Sequence, residues 1–169
     1  MTAHAVGDRA IEMMLNAIEQ AVAKWPRADH RHRIEHCAIC PPDLIERIKR
    51  LGVVPVAQPV FFWEFGDGYP RNYGPDRVRW MFPVRAYVEK GIIAAGGSDC
   101  PVTRVDPLWG IYEAMSRVTM NGRSAGAEGD LTGARPEEVR DASVLLTMVG
   151  GEVVHGAFEA DAPRRSGWQ

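Results

Sequence analysis

The sequence predicts an α/β protein in which parallel strands are joined by helices. Short apolar or alternating runs alternate along the chain with segments whose apolar residues recur at helical spacing, a pattern typical of strand–helix–strand crossovers. The chain has 169 residues, of which 46% are apolar and 25% are charged, as in ordinary globular domains with a single core. We therefore expect one α/β unit whose strands lie side by side.

The first predicted helix follows His4 and is succeeded by a strand. Asp8 is a suitable cap for the helix, and Pro26 predicts its end nearby. Apolar residues recur at helical spacing and predict the buried face: Ala10, Ile11, Met14, Leu15, Ile18 and Val22. The strand is predicted over residues 33–38, where apolar and charged residues alternate.

The second predicted helix begins at a pair of prolines and is again succeeded by a strand. Proline is tolerated in the first turn of a helix, so Pro41 and Pro42 mark its start, and Gly52 closes it. Its buried face is predicted to contain Leu44, Ile45, Ile48 and Leu51. A strand is predicted over 53–57, although Pro55 is unusual in a central strand.

The next part of the chain begins with a predicted loop. Residues 61–74 are rich in aromatic residues and glycine, and long loops in compact domains are either functional or packed on the surface. A helix interrupted by a proline is predicted over 78–90, a buried type of strand over 92–95, and an amphipathic helix over 108–118.

Composition excludes several classes of partner. The net charge of −2 gives no reason to expect nucleic acid or an anionic membrane. No apolar run is long enough to span a bilayer, and the N-terminal residues lack the pattern of a secretory signal. Three cysteines, an odd and small number, favour a reducing compartment. We therefore expect a cytoplasmic protein.

Three polar residues follow predicted strands and form the candidate site. His4, His36 and Asp99 each lie just past a strand-like run. The carboxyl ends of parallel strands meet on one face, where two imidazoles and a carboxylate can share a divalent metal ion that activates water. A lone histidine is more often structural, and Asp99 in its glycine-rich turn is also a suitable helix cap. The recurrence at three strand ends favours metal binding.

A second pair of histidines is predicted to lie away from this face. His30 and His32 precede the strand that ends near His36, so they belong at the opposite end of the sheet. Three arginines surround them: Arg27, Arg31 and Arg33. We interpret the pair as part of a solvated basic patch.

The cysteines allow two further hypotheses. Cys37 and Cys40 have the spacing of a thioredoxin-like redox motif at a strand-to-helix junction. Together with Cys100 they are also candidate ligands for a soft metal. Buried, unreactive thiols behind the site are the structural alternative.

Two charged residues near the candidate ligands have weaker signals. Glu35 precedes His36 and, by strand alternation, points away from it, so we expect it to make structural contacts. Arg117 lies on the helix that follows Asp99. It is a weak candidate for binding an anionic group of a substrate, and a solvated helix face is the alternative.

Four segments resemble the metal-dependent amidohydrolases, most closely amidohydrolase family 3. They are His4–Ala10, Arg31–His36, Val56–Pro59 and Gly97–Val102, which are similar to strands five to eight of the family's (β/α)8 TIM-type barrel. The resemblance implies metal-ligand roles for His4 and His36. It implies that Asp99 is both a ligand and a proton shuttle between the attacking water and the leaving nitrogen, and that the cofactor is a divalent metal, with zinc preferred.

The resemblance also implies a domain organisation. Residues 1–122 correspond to half of the barrel, and 123–143 to a Gly/Ala-rich connection. Residues 144–169 correspond to a β-hairpin from the family's accessory β-sandwich and a frayed tail, with strands at 144–149 and 152–155 around a glycine pair. The family's first four strands, with their His-x-His pair and Lys or Glu ligand, have no counterpart. We therefore expect the C-terminal portion of such an enzyme with a shortened tail.

These observations lead to one principal function and two alternatives. The resemblance implies metal-assisted hydrolysis of an amide or another non-peptide C–N bond in a small molecule, and we expect the chain by itself to be poorly active or inactive. The first alternative is a non-catalytic remnant or subunit, because a half-barrel has open edges that favour a homo-oligomer or a complementary chain. The second is a Cys37/Cys40 redox protein.

Overall fold

The computed structural model describes residues 1–123, 136–140, 146–149 and 152–156. Its centre is a four-stranded parallel sheet whose spatial order follows the chain. The strands are β1 (Thr2–Ala5), β2 (Arg33–His36), β3 (Val54–Ala57) and β4 (Ala95–Gly96). The predicted α/β arrangement with parallel strands is confirmed.

Two helices form the first two crossover connections of the sheet and pack in the main core. They are α1 (Asp8–Lys24) and α2 (Pro42–Leu51), which bury most of the predicted apolar stripes, although Ala10 is exposed. Fully buried members of this core include Ile11, Leu15, Ile18, Ile34, Ile45 and Ile48. Gly52 adopts a left-handed conformation (φ 64°) and ends α2 as predicted. Gly7, not Asp8, is the residue that caps α1, and Asp8 lies in its first turn.

Residues 61–90 fold into short helices around a second core. They are α3 (Phe61–Phe65), a 3₁₀ turn (Gly66–Gly68), α4 (Tyr69–Tyr73), α5 (Pro75–Val78) and α6 (Val84–Glu89). The prediction of a loop over 61–74 is wrong. Phe62 and Tyr69 bury their rings beside Met81 and Phe82, so tertiary packing stabilises helical turns that are too short to form alone.

The last strand of the sheet is shorter and more exposed than the sequence predicts. Pairing with β3 begins only at Val56–Ala95, and Ile93 is 80% exposed. The N–H of Val54 donates to His32 on the β2 side, so alternation turns Pro55, which has no N–H, towards β4. The ladder to β4 therefore starts after the proline, and the prediction of a buried strand over 92–95 is wrong.

The remaining elements follow the sheet in the chain. Helix α7 (Pro107–Ser116) begins at Asp106, whose carboxylate accepts a hydrogen bond from the N–H of Trp109 at 3.1 Å. Helix α8 covers Pro136–Arg140, and β5 (Leu146–Val149) pairs antiparallel with β6 (Glu152–Gly156) in a separate two-stranded sheet.

Most of the predicted connection and the whole of the predicted frayed tail after residue 156 lie outside the described residues. Among the helices that are described, none combines the length and hydropathy needed to cross a bilayer.

Candidate metal centre

The parallel sheet brings His4 and His36 together. The prediction that both histidines lie just past a strand is wrong in detail, because His4 belongs to β1 and His36 is the last residue of β2. Ala5 pairs with His36 and His4 with Glu35, so the two histidines lie one register position apart near the carboxyl ends of neighbouring strands. Their ring centroids lie 4.3 Å apart with an interplanar angle of 71°. His36 is buried and His4 is exposed. One imidazole is therefore held by packing, while the other faces the surface beside it.

Asp99 reaches the same place from the turn after β4. Its Oδ2 lies 4.0 Å from Nε2 of His36, and its side chain is 43% exposed. The three predicted ligands line one pocket of about 530 Å³. The structure thus places His4, His36 and Asp99 at one end of the sheet, as the sequence predicts.

The donor set fits a divalent metal in its chemistry, and its donor atoms have to move closer together to hold one. His36 has one nitrogen facing Asp99, and its Nδ1 is buried without a hydrogen-bond partner. Two tetrahedral zinc ligands lie roughly 3.4 Å from each other, which is shorter than the 4.0 Å between His36 and the half-exposed Asp99 side chain. Within the described residues, no three His, Cys, Asp or Glu side chains already stand where they could hold an ion.

Backbone strain is concentrated at this pocket. His36, Phe82 and Asp99 all line it and have φ values of 69°, 47° and 54°, and Cys37 beside His36 has φ 46°. Non-glycine residues in this region cost roughly 1–2 kcal/mol each, and such residues cluster at functional sites. The sequence does not indicate these conformations, because none of the four residues is glycine.

Aromatic side chains form much of the rest of the pocket wall, and the sequence did not assign them to the site. They are Phe61, Phe65, Tyr69, Tyr73 and Phe82. The ring of Phe61 lies 6.0 Å from the imidazole of His36. The signal that was available is the density of aromatic residues over 61–74, but their common orientation depends on the helical turns.

His30 and His32 lie at the opposite end of β2, where the sequence predicts them. Nε2 of His30 is 2.7 Å from the carbonyl oxygen of Leu51, and its Nδ1 accepts the N–H of His32 at 3.0 Å. The two rings stack at 4.5 Å, and burial lowers the pKa of His32. Both side chains are half-buried and engaged, so the two histidines form a structural pair and are not themselves solvated, while Arg27, Arg31 and Arg33 beside them are exposed as predicted.

The cysteines do not form a reactive site in the described structure. Cys37 and Cys40 are fully buried, whereas Cys100 is exposed. The hydrogen bond with Cys37, and then burial, raise the pKa of the Cys40 thiol. Redox chemistry needs an accessible thiolate, so nothing in this environment favours the redox alternative.

Arg117 and Glu35 both have structural partners. Arg117 is 3% exposed, and its Nη1 donates to the carbonyl oxygens of Met81 at 2.7 Å and Phe82 at 3.3 Å. A substrate-binding role for Arg117 is therefore wrong, because the guanidinium faces the protein interior. Glu35 accepts a hydrogen bond from Oγ1 of Thr2 at 2.6 Å and pairs with Arg33 at 2.9 Å, as expected for a structural side chain.

Comparison with known proteins places these residues in a wider context. Residues 1–135 match a model described as "Amidohydrolase family". The chain is 40% identical over 115 residues to the putative amidohydrolase YtcJ of Bacillus subtilis, covering 68% of this chain and 21% of that protein. It is 31% identical over 120 residues to the N-substituted formamide deformylase of Arthrobacter pascens, covering 70% and 22%.

A solved structure agrees with these matches. The chain superposes on an uncharacterized metal-dependent hydrolase from Pyrococcus furiosus with a TM-score of 0.56 and 31% identity, covering 68% of this chain and 22% of that one. The chain thus spans about a fifth of the length of the curated relatives that it matches.

Proposed function

The chain belongs to the amidohydrolase family, and from this membership we propose that it contributes to metal-dependent hydrolysis of an amide or another non-peptide C–N bond in a small molecule. One observation carries the proposal: His4, His36 and Asp99 meet in a single pocket at the carboxyl edge of the parallel sheet. The metal-dependent hydrolase of similar fold supports it.

His4, His36 and Asp99 are the proposed ligands, and zinc is the proposed metal. Two imidazole nitrogens and a carboxylate oxygen are a set that catalytic zinc uses. A bound divalent ion would supply Lewis acidity towards a carbonyl oxygen and lower the pKa of water. His36, held by burial, fixes the position of the site, and the exposed His4 completes it from the neighbouring strand.

Asp99 has the freedom to move a proton as well as to act as a ligand. Its side chain is 43% exposed and only one of its oxygens faces His36. In the proposed reaction this carboxylate accepts a proton from the attacking water and donates it to the leaving nitrogen. A carboxylate suits both steps because it accepts and releases a proton without leaving the site.

We expect His36→Ala and His4→Ala to lower the affinity for zinc at least about tenfold, because each removes a nitrogen ligand. Chelator competition on purified protein, with elemental analysis, measures the loss. His30→Ala is the matched control, since His30 lies at the other end of β2, and it should retain the affinity of the wild type. Equal zinc affinities for His4→Ala and His30→Ala would contradict the proposal.

A non-catalytic subunit is the second candidate function. It is favoured by the observation that no three potential ligands in the described part of the chain are yet arranged to hold an ion. A folded wild-type protein that retains no zinc in the same measurement would support this candidate over the hydrolase.

Assembly with further strands is proposed for both candidates. The sheet is proposed to correspond to strands five to eight of a (β/α)8 barrel, and β5 and β6 to an accessory β-sandwich. In the described residues β1 and β4 are the edges of the four-stranded parallel sheet, and Ile93 beside β4 is 80% exposed. Parallel sheets are normally covered, and open edges pair with other strands. The partner is a second copy of this chain or a complementary chain.

We expect light scattering to show a dimer or larger species that Ile93→Lys shifts towards the monomer. The lysine places a charge on the exposed apolar residue next to the sheet edge. Val88→Lys, at an exposed apolar residue on α6, is the control and should leave the assembly unchanged. A monodisperse wild-type monomer with a cooperative melt would contradict the proposed assembly.

A further inference from the structure

The pocket of the candidate site has an aromatic wall formed by the helical turns of 61–73 together with Phe82. Phe61 is its centre, with Phe65 at 5.3 Å and Phe82 at 6.0 Å between ring centroids, both nearly perpendicular to it. Tyr69 and Tyr73 extend the wall at 5.8 Å from each other. The two contacts of Phe61 have the edge-to-face geometry that aromatic rings prefer, and a ligand ring can make the same kind of contact with those rings of the wall that are exposed.

The described residues leave part of this wall uncovered. Phe65 is 43% exposed and Tyr73 is 38% exposed, although both line a concave cavity. Exposed aromatic surface in a cavity marks a ligand-binding site more strongly than the same surface on a convex face. The volume of about 530 Å³ is in the range that holds a small organic molecule.

The side chains of the wall favour a neutral ligand over an anionic one. No lysine or arginine is among the described residues that line the pocket. Outside the three proposed ligands, the polar groups are the amide of Asn72 and two tyrosine hydroxyls, and the Tyr69 hydroxyl already donates to the carbonyl oxygen of Phe61 at 3.2 Å. Burial raises the pKa of Tyr69, so its hydroxyl stays neutral. An anionic substituent would find no cation in this wall.

The aromatic wall lies next to the place where the carbonyl group of a substrate would bind. The Phe61 ring lies 6.0 Å from the His36 imidazole, which is about one ring spacing. A carbonyl group at His36 and Asp99 therefore places the group attached one or two bonds away against Phe61. We infer that the site takes a neutral amide whose substituent is an aromatic ring, seated against Phe61, Phe65 and Tyr73. The inference rests on the proposed function, since it names the substrate class of that same site.

Binding to metal-free protein tests the inference without requiring turnover. The probes are two neutral amides, N-benzylacetamide and N-methylacetamide, and an anionic aromatic amide, 4-(acetamidomethyl)benzoate, titrated by NMR. We expect N-benzylacetamide to bind about tenfold more tightly than N-methylacetamide, and the benzoate to lose that advantage. Phe65→Ala should remove the preference, whereas Trp25→Ala, at an exposed aromatic residue outside the pocket, should retain it.

The outcomes separate this inference from the proposed function. Equal binding of the two neutral amides, equal binding of the benzoate and N-benzylacetamide, or an identical effect of Phe65→Ala and Trp25→Ala in folded variants would overturn the aromatic substrate class. Zinc affinity that depends on His4 and His36 would leave the proposed function standing in each of those cases. Conversely, the ring preference without zinc affinity would support the pocket assignment and count against the metal-dependent reaction.

Discussion

Glu113→Gln is expected to remove most of the pH dependence of stability that the wild-type protein shows between pH 4.5 and pH 8, where its free energy of unfolding falls as the pH rises. Glu113 lies on α7 and is 1% exposed, and burial raises its pKa from 4.5 to about 8. Neither carboxyl oxygen accepts a hydrogen bond of normal geometry, although the amide of Val118 offsets part of the shift. The folded protein therefore holds a neutral carboxyl group that the unfolded chain ionises.

The sign of the effect is opposite to that of a salt-bridged carboxylate. Below pH 4.5 the carboxyl group of Glu113 is protonated in both the folded and the unfolded state, so its burial does not lower the free energy of unfolding there. As the pH rises towards 8, the unfolded state loses its proton first, and the free energy of unfolding falls by about 1.4 kcal/mol per pH unit. The total approaches about 5 kcal/mol at pH 8 and above. Glutamine has no proton to lose and therefore no such slope.

Urea unfolding from pH 4.5 to pH 8.5 measures this difference. Glu46→Gln is the control, because Glu46 is an exposed glutamate paired with Lys90, which lowers its pKa. A surface ion pair contributes little, so the control should keep the pH slope of the wild type. A Glu113→Gln variant with the same slope as the wild type would show that the carboxyl group is solvated or charged in the folded protein.

The sequence did not predict that Glu113 is buried, and the polar residues near it on α7 show why. Trp109, Glu113 and Ser116 are spaced for one helix face, and each has a buried polar atom without a hydrogen-bond partner in the described structure. Helical periodicity identified the segment as amphipathic, but it does not reveal which neighbours cover its polar positions. That depends on parts of the chain that are distant in sequence.

The same distinction separates the successful predictions from the failures along the rest of the chain. The parallel strands and the meeting of His4 with His36 follow from local periodicity and the rule that parallel strands end on one face, whereas the sequential order of β1 to β4 is what the family resemblance implies. The helical turns at 61–73 depend on burial of Phe62 and Tyr69 in a second core. The strained backbone at His36 and Asp99 depends on surrounding contacts, which a single sequence does not display.

Arg117→Met is expected to destabilise the protein by about 3 kcal/mol or more, since it leaves buried carbonyl groups without a charged donor. The guanidinium donates to Met81 and Phe82, and Nη2 lies 3.4 Å from the carbonyl oxygen of Val78. It also lies 4.5 Å from the centre of the Phe62 ring. Methionine retains the apolar stem but none of the donors, so urea unfolding should show the loss directly.

The effect of Arg117 should extend to the candidate site. Met81 and Phe82 line the pocket, and Phe82 has a strained φ of 47°; the bonds from Arg117 hold the two carbonyl groups of this segment. Arg117→Lys keeps the charge without the planar fork and should give an intermediate loss. Arg104→Met, at an exposed arginine over the ring of Trp109, should cost less than about 1 kcal/mol. If both methionine variants were equally stable, the guanidinium of Arg117 would not be what holds the 78–82 segment against the pocket.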